Sequence, residues 1–257
     1  MHTPNPVSLA AKLSGEPEFR EVGVGPWSET HPGEPRPDNP SAPNYDQRFD
    51  STLLDEGDRR NVLDRYRYWT VEAIKADLDV KGRHDFEVAV ENWTHDFNIG
   101  SMVRTANAFT ARRVHIVGPH KWNRKGALMT ELYQHVEHHP SIEELVECWR
   151  YRIAGEIAAE QACTTADGRR LSELRQARII ALDIIPGAVP IETYRFPKRC
   201  LLLFGAEGPG LSQKALDLAD DVVYISQFGS VRSINAGAAA AVAMHSWIAQ
   251  HAAPAGR

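Results

Sequence analysis

Cysteine is scarce in this chain: Cys148, Cys163 and Cys200 are the three in 257 residues, at spacings that match neither a zinc motif nor an even disulfide framework. They are expected to be buried thiols. No run approaches the roughly 18 apolar residues needed to span a bilayer, and the first residues lack the basic-then-apolar order of a secretory signal. The expectation is a cytoplasmic protein with no membrane partner. A dinucleotide loop of order GxGxxG is missing, as is the lysine that ends a phosphate loop, so neither NAD nor a nucleoside triphosphate is the natural ligand. Internal repeats are missing too. An excess of positive charge is also lacking, since the formal net charge is -5.

That charge is unevenly spread. Residues 1–50 hold four Lys/Arg and eight Asp/Glu, leaving 25 and 26 for the remainder, which is close to balance. The same stretch carries nine of the sixteen prolines and few periodic apolar residues. Residues 1–52 are therefore expected to be an extended or disordered acidic tail, with order beginning near Leu53. Over residues 53–83 the spacing of Val62, Tyr66, Trp69 and Ile74 predicts a helical segment carrying Arg59, Arg60, Arg65 and Arg67.

From residue 84 to 252 the pattern is α/β. Asp85–Asn92 and Val114–Val117 read as strands flanking a helix over Ile99–Phe109, a βαβ unit that implies a parallel sheet. A basic loop with Lys121, Arg124 and Lys125 follows, then a helix from Ile142 to Ala159. Strands are expected at 178–183, 199–204 and 222–225, and a last helix over Ala236–Gln250. His135, His138 and His139 read as a solvated polar turn, with no metal predicted.

Two strand-to-glycine turns stand out, Phe204-Gly-Ala-Glu-Gly-Pro-Gly-Leu-Ser212 and Ile225 followed by Gly229-Ser-Val-Arg-Ser-Ile-Asn235. A glycine-dense turn at a strand's end lets the backbone approach a small ligand closely. Together with Asn98-Ile-Gly-Ser-Met-Val-Arg-Thr-Ala-Asn-Ala-Phe109, these blocks resemble, in order and spacing, the three motifs of the SpoU (TrmH-like) class of SPOUT RNA methyltransferases. Thr110 and Ser226 depart from the pattern, standing where the class usually has glycine and proline.

The resemblance implies a parallel-sheet SPOUT domain with a C-terminal trefoil knot, a homodimer, and S-adenosylmethionine as cofactor. It places cofactor contacts on Phe204, Gly205, Glu207, Gly208, Ile225, Ser230 and Ile234. It also implies methyl transfer to a ribose 2′-hydroxyl of rRNA or tRNA, with Asn98, Arg104, Glu207, Ser233 and Asn235 as catalytic candidates. Arg104 lies about 140° from Ile99 around its helix, outside the apolar stripe of Ile99, Met102, Val103 and Ala106. A guanidinium stays protonated, so its role is charge stabilisation rather than proton abstraction. Asn98 and Asn235 also suit helix N-caps. Local RNA contacts are expected at Arg59, Arg60, Lys121, Arg124 and Lys125. A catalytically silent RNA-binding protein of the same fold and a SPOUT base methyltransferase are the alternatives.

Overall fold

The computed structural model describes residues 5–15, 22–93, 98–165 and 168–254. Contacts group them into two compact units, Met1–Thr70 and Val71–Arg257.

The first unit contains α1 (Pro6–Leu13), α2 (Trp27–Thr30) and α3 (Ser51–Glu56). Trp27, Leu54 and Tyr68 form a small core, against which Val24, Phe49 and Leu53 pack. Below them the buried Asp58 carboxylate accepts from the Arg60 guanidinium (2.7 and 2.8 Å) and from the backbone N–H groups of Arg60 and Tyr68. The expectation of an extended tail to residue 52 is corrected for residues 22–52, where aromatic residues within the proline-rich stretch recruit it into a packed unit; Pro6–Leu13 form a fully exposed helix, and residues 1–4 and 16–21 of that expectation lie outside the described residues. The single helical segment over 53–83 is corrected too. Gly57 (φ 87°) ends α3 where a Cβ would sit 2.6 Å from the Val24 carbonyl oxygen, and Tyr68 also has a positive φ (62°). The four arginines thus share no helix face. Arg60 donates to Asp58 and the Trp69 carbonyl, and Arg67 to the Arg60 carbonyl, so neither guanidinium is spare for a ligand.

The second unit opens with α4 (Val71–Lys81) and continues as β1 (Phe86–Glu91), α5 (Ile99–Ala108), β2 (Val114–Val117), β3 (Val136–His139), α6 (Ile142–Ala162), α7 (Gly168–Arg175), β4 (Arg178–Leu182), β5 (Val189–Pro190), β6 (Cys200–Phe204), α8 (Gln213–Leu218), β7 (Asp221–Tyr224) and α9 (Ala236–His251). The seven strands form one sheet in the order β3-β2-β1-β6-β4-β7-β5, and every pair is parallel. The expected α/β class with a parallel sheet is therefore found. Strands β1, β2 and β6 are buried throughout, as strands of a doubly covered sheet should be; β6 is a continuous apolar run, while β1 buries Glu87 and Glu91 and β2 buries His115. One face packs on α5 and α9 through Met102, Val103, Ala106, Ala243, Met244 and Trp247. The other packs on α6 and α8 through Leu145, Trp149, Ile153 and Ala215.

Two expectations change. Val136–His139 is an edge strand rather than a turn, and His139 is buried in it. Of the three thiols only Cys200 is buried, where desolvation raises its pKa, while Cys148 is half-buried and Cys163 exposed. Thr110 takes φ 47° at the C-terminal end of α5, the left-handed conformation that glycine would supply. Among the described residues no helix is long and apolar enough to cross a membrane.

Candidate functional site

Strands β6, β4 and β7 are neighbours, and the loops leaving their C-terminal ends meet, at the edge where parallel α/β sheets place ligands. They enclose a cavity of about 320 Å³. Its walls come from Leu182 to Ile184 after β4, Phe204 to Gly210 after β6, Val223 to Ile225, Gln227 and Arg232 to Ile234 around β7, and Ala236 and Ala239 of α9.

The β6 loop folds back on itself. Gly210 N–H donates to the Ala206 carbonyl (3.0 Å), and a Cβ on Gly205 would lie 2.0 Å from the Gly210 carbonyl carbon. Gly205 is thus bare because its own loop passes over it, a nearer cause than the approach of a ligand. Gly208 and Gly210 hold φ of 92° and 74°, which completes the turn. The buried Glu91 carboxylate anchors the loop's far end by accepting from Ser212 N–H (2.7 Å) and hydroxyl (2.8 Å). Ser226, in the proline position of the related class, donates its N–H (3.2 Å) and hydroxyl (3.0 Å) to Glu192. A proline would offer neither donor.

The three sequence motifs converge on Glu207. Its Oε2 accepts from Asn98 Nδ2 (2.8 Å) and from Ala236 N–H at the start of α9 (3.0 Å). Asn235 Nδ2 in turn donates to Asn98 Oδ1 (2.9 Å), while Asn235 Oδ1 caps α9 at Ala238 N–H. Asn98 makes no side-chain cap of α5, contrary to the capping expectation, because its amide is turned to Glu207 instead. What brings α5 and α9 close enough is Gly237, where a Cβ would lie 2.7 Å from Ser101 Oγ.

Of the residues expected to hold a cofactor, Phe204, Gly205, Glu207, Gly208, Ile225 and Ile234 line the cavity, whereas Ser230 is exposed and outside its walls. Among the catalytic candidates, Glu207 and Ser233 line it and Asn98 and Asn235 reach it through Glu207. Arg104 lies outside the walls: it is exposed on α5, beside the buried Ile99, Met102, Val103 and Ala106. Sequence reasoning missed Asp183, Arg232 and Gln227. Asp183 ends a strand at the ligand-binding edge of the sheet, which was the available signal; Gln227, whose Oε1 is buried in the wall with no partner among the described residues, gave none.

The basic loop after β2 forms a 3-10 turn at Arg124–Ala127 that lies directly on the first turn of α5, since a Cβ on Gly100 would be 2.8 Å from Ala127 N and 2.9 Å from Asn123 O. Lys121, Arg124 and Lys125 are exposed there, and the Arg124 guanidinium sits 5.9 Å from the centre of the Trp122 ring.

Residues 157–245 match the SpoU rRNA Methylase family. The chain is 26% identical to the tRNA (guanosine(18)-2′-O)-methyltransferase of Escherichia coli over 63% of its own length and 62% of that protein's. It is 29% identical to the enzyme of that name from Saccharomyces cerevisiae, over 45% of this chain and 8% of that one. Among solved structures, the SpoU methyltransferase AviRb from Streptomyces viridochromogenes in complex with AdoMet superposes with a TM-score of 0.54 at 24% identity, covering 67% of this chain and 63% of that one. This chain therefore spans less than two thirds of these relatives' own lengths. The resemblance to the SpoU/TrmH-like class read from the three motifs is borne out.

Proposed function

Proceeding from that likeness, we propose that this chain is an S-adenosylmethionine-dependent methyltransferase that modifies a ribose 2′-hydroxyl of tRNA or rRNA. The observation that carries the reading is the meeting of Asn98, Glu207 and Asn235, one from each motif, at the edge of the cavity. The relatives named for tRNA 2′-O-methylation supply the substrate class.

The cavity suits the cofactor on its own terms. Leu182, Phe204, Ile225 and Ile234 offer apolar walls for a base, and the unpartnered Gln227 Oε1 awaits a donor such as an exocyclic amine. Asp183 and Glu207 provide negative charge opposite a cationic ligand. When bound, S-adenosylmethionine supplies an electrophilic methyl group. The protein's share is to hold the ribose oxygen in line and to accommodate the charge that grows on it as its proton leaves for solvent. Asn98 and Asn235 fix the Glu207 carboxylate. Arg104, exposed on the helix whose first turn the basic loop covers, is assigned to stabilising the charge on the reacting oxygen or its neighbouring phosphate. The RNA path is assigned to Lys121, Arg124 and Lys125, with Trp122 as a stacking surface, while Arg59 marks a separate basic point on the first unit. A trefoil knot at the C-terminal segment, a homodimer and a cytoplasmic setting complete the proposal.

Mapping 2′-O-methyl sites in total RNA with and without the gene tests the activity; an unchanged map would overturn it. Arg104→Ala is expected to lower single-turnover methyl transfer by about 2 to 4 kcal/mol of transition-state stabilisation, with cofactor affinity by calorimetry unchanged. Wild-type turnover by that variant would reassign the role.

A further inference from the structure

A second polar cluster lies on the opposite face of the sheet, beneath α6, away from the cavity. His115 of β2 is fully buried and His139 of β3 nearly so. The register sets His115 beside Glu137 and Val117 beside His139, which puts both imidazoles and the Glu137 carboxylate on one face of the two strands.

The outer nitrogen of each ring is committed. His115 Nε2 lies 2.7 Å from Glu87 Oε2, and Glu87 is itself buried and paired with Arg199 at 2.6 Å. His139 Nδ1 lies 2.5 Å from Glu144 Oε2, while the other oxygen of Glu144 accepts from the Cys148 thiol at 3.1 Å. An ionised carboxylate only accepts, so each ring donates outward. The inner nitrogens, His115 Nδ1 and His139 Nε2, then both carry lone pairs, and they face each other at 2.9 Å. Two lone pairs at that separation repel unless a cation lies between them, either one proton shared by the two rings or a metal ion. A third donor lies beside them: Glu137 Oε2 is 3.6 Å from His115 Nδ1 and 3.9 Å from His139 Nε2, and it accepts from Arg152 Nη2 at 3.0 Å while Glu137 Oε1 accepts from Arg113 Nε at 2.7 Å, so an ion would share this carboxylate with two guanidiniums.

We propose that His115, His139 and Glu137 form a binding site for one divalent ion of the zinc type. The three donor atoms are separated by 2.9, 3.6 and 3.9 Å. Tetrahedral bonds of about 2.0 to 2.2 Å place ligands roughly 3.3 to 3.6 Å apart, so a small opening of the histidine pair seats the ion. Two imidazoles and a carboxylate are ligands that suit zinc, with the fourth position left to water. Glu87 and Glu144 stand behind the rings as the carboxylates that fix metal-binding histidines in tautomer and orientation. The way in is along the edge strand, where the Glu137 and Glu144 side chains are partly exposed. His139, Glu144 and Cys148 also lie close enough together to share an ion. That set would need the His139 nitrogen that already donates to Glu144. The ion would clamp β3 to β2 under α6, independently of methyl transfer.

The full-length, tag-free protein, stripped with a chelator, is titrated with Co²⁺ and read by visible absorption. One equivalent with ligand-field bands and no thiolate charge-transfer band is expected, with Zn²⁺ displacing the Co²⁺ and raising the thermal midpoint. His139→Gln and Glu137→Gln should each weaken uptake roughly tenfold or more, and Cys148→Ser should leave it unchanged. The proposal is overturned by a wild type that develops no bands, by bands undiminished in both variants, or by bands lost in Cys148→Ser. If His139→Gln fails to fold, Glu137→Gln, altering a partly exposed side chain, decides.

Discussion

Asp58 shows how one side chain can organise a unit with little else in it. Burial by itself would push its pKa up, but the Arg60 guanidinium and the N–H groups of Arg60 and Tyr68 hold it below the ordinary carboxylate value. A depressed folded-state pKa contributes stability that is complete above the unfolded value and fades as pH falls through the folded one. The first unit should therefore be acid-labile below the ordinary carboxylate range. Asp58→Asn should cost about 3 kcal/mol at neutral pH by leaving Arg60 without its counter-charge, and should flatten that pH dependence. Urea melts followed across a pH series would show both effects. Thr110 makes the opposite case. A β-branched residue at φ 47° is strained, so Thr110→Gly should raise stability by up to about 1 kcal/mol in the same assay, net of the lost contact between its hydroxyl and His84 Nδ1.

At the scale of elements, alternating or apolar stretches made β1, β2, β4, β6 and β7 readable from sequence, spacing gave α5, the Pro140-Ser141 opening and acidic first turn gave α6, and the run of small residues gave α9. Strand β3 was hidden because its inward positions are Glu137, which accepts from Arg113 and Arg152, and His139, which pairs with Glu144, polar groups that advertise no core. The first unit was hidden by its prolines, since three aromatic and aliphatic side chains spread over residues 27–68 leave no period to detect. The small-residue face of α9 packs on its own sheet, with Ala240, Ala243 and Met244 fully buried. Gly237→Val should force α5 and α9 apart at Ser101 and separate Asn98 from Glu207 and Asn235. Methyl transfer should fall far more than secondary structure measured by circular dichroism; full activity in the folded variant would show that the convergence of the motifs is dispensable. In the basic loop, changing Lys121, Arg124 and Lys125 together to Ala should flatten the salt dependence of RNA affinity by roughly 0.7 log units per lost phosphate contact on a single-stranded region. A wild-type slope would show the loop to be merely solvated.

For the molecule as a whole, motif recognition placed the loops but not the wall between them. Asp183, Arg232 and Gln227 enter the cavity only because β4 lies between β6 and β7 in the sheet, an adjacency no local pattern encodes. The two units carry separate cores, so Trp27→Ala should destabilise the first by about 3 kcal/mol or more while cofactor affinity stays unchanged. Denaturant titration with calorimetry would separate the two. The strand order has a further consequence, in time rather than space. Phe86 of β1 pairs with Cys200 of β6, and β6 must also take its place beside β4, whose partner residue is Arg178. During synthesis β1 therefore leaves the ribosome long before its central neighbour exists, and its apolar edge has to be kept from other partners until β6 arrives. Closing so long a loop before any pairing repays it makes folding slow, and it exposes the nascent chain to aggregation in the interval.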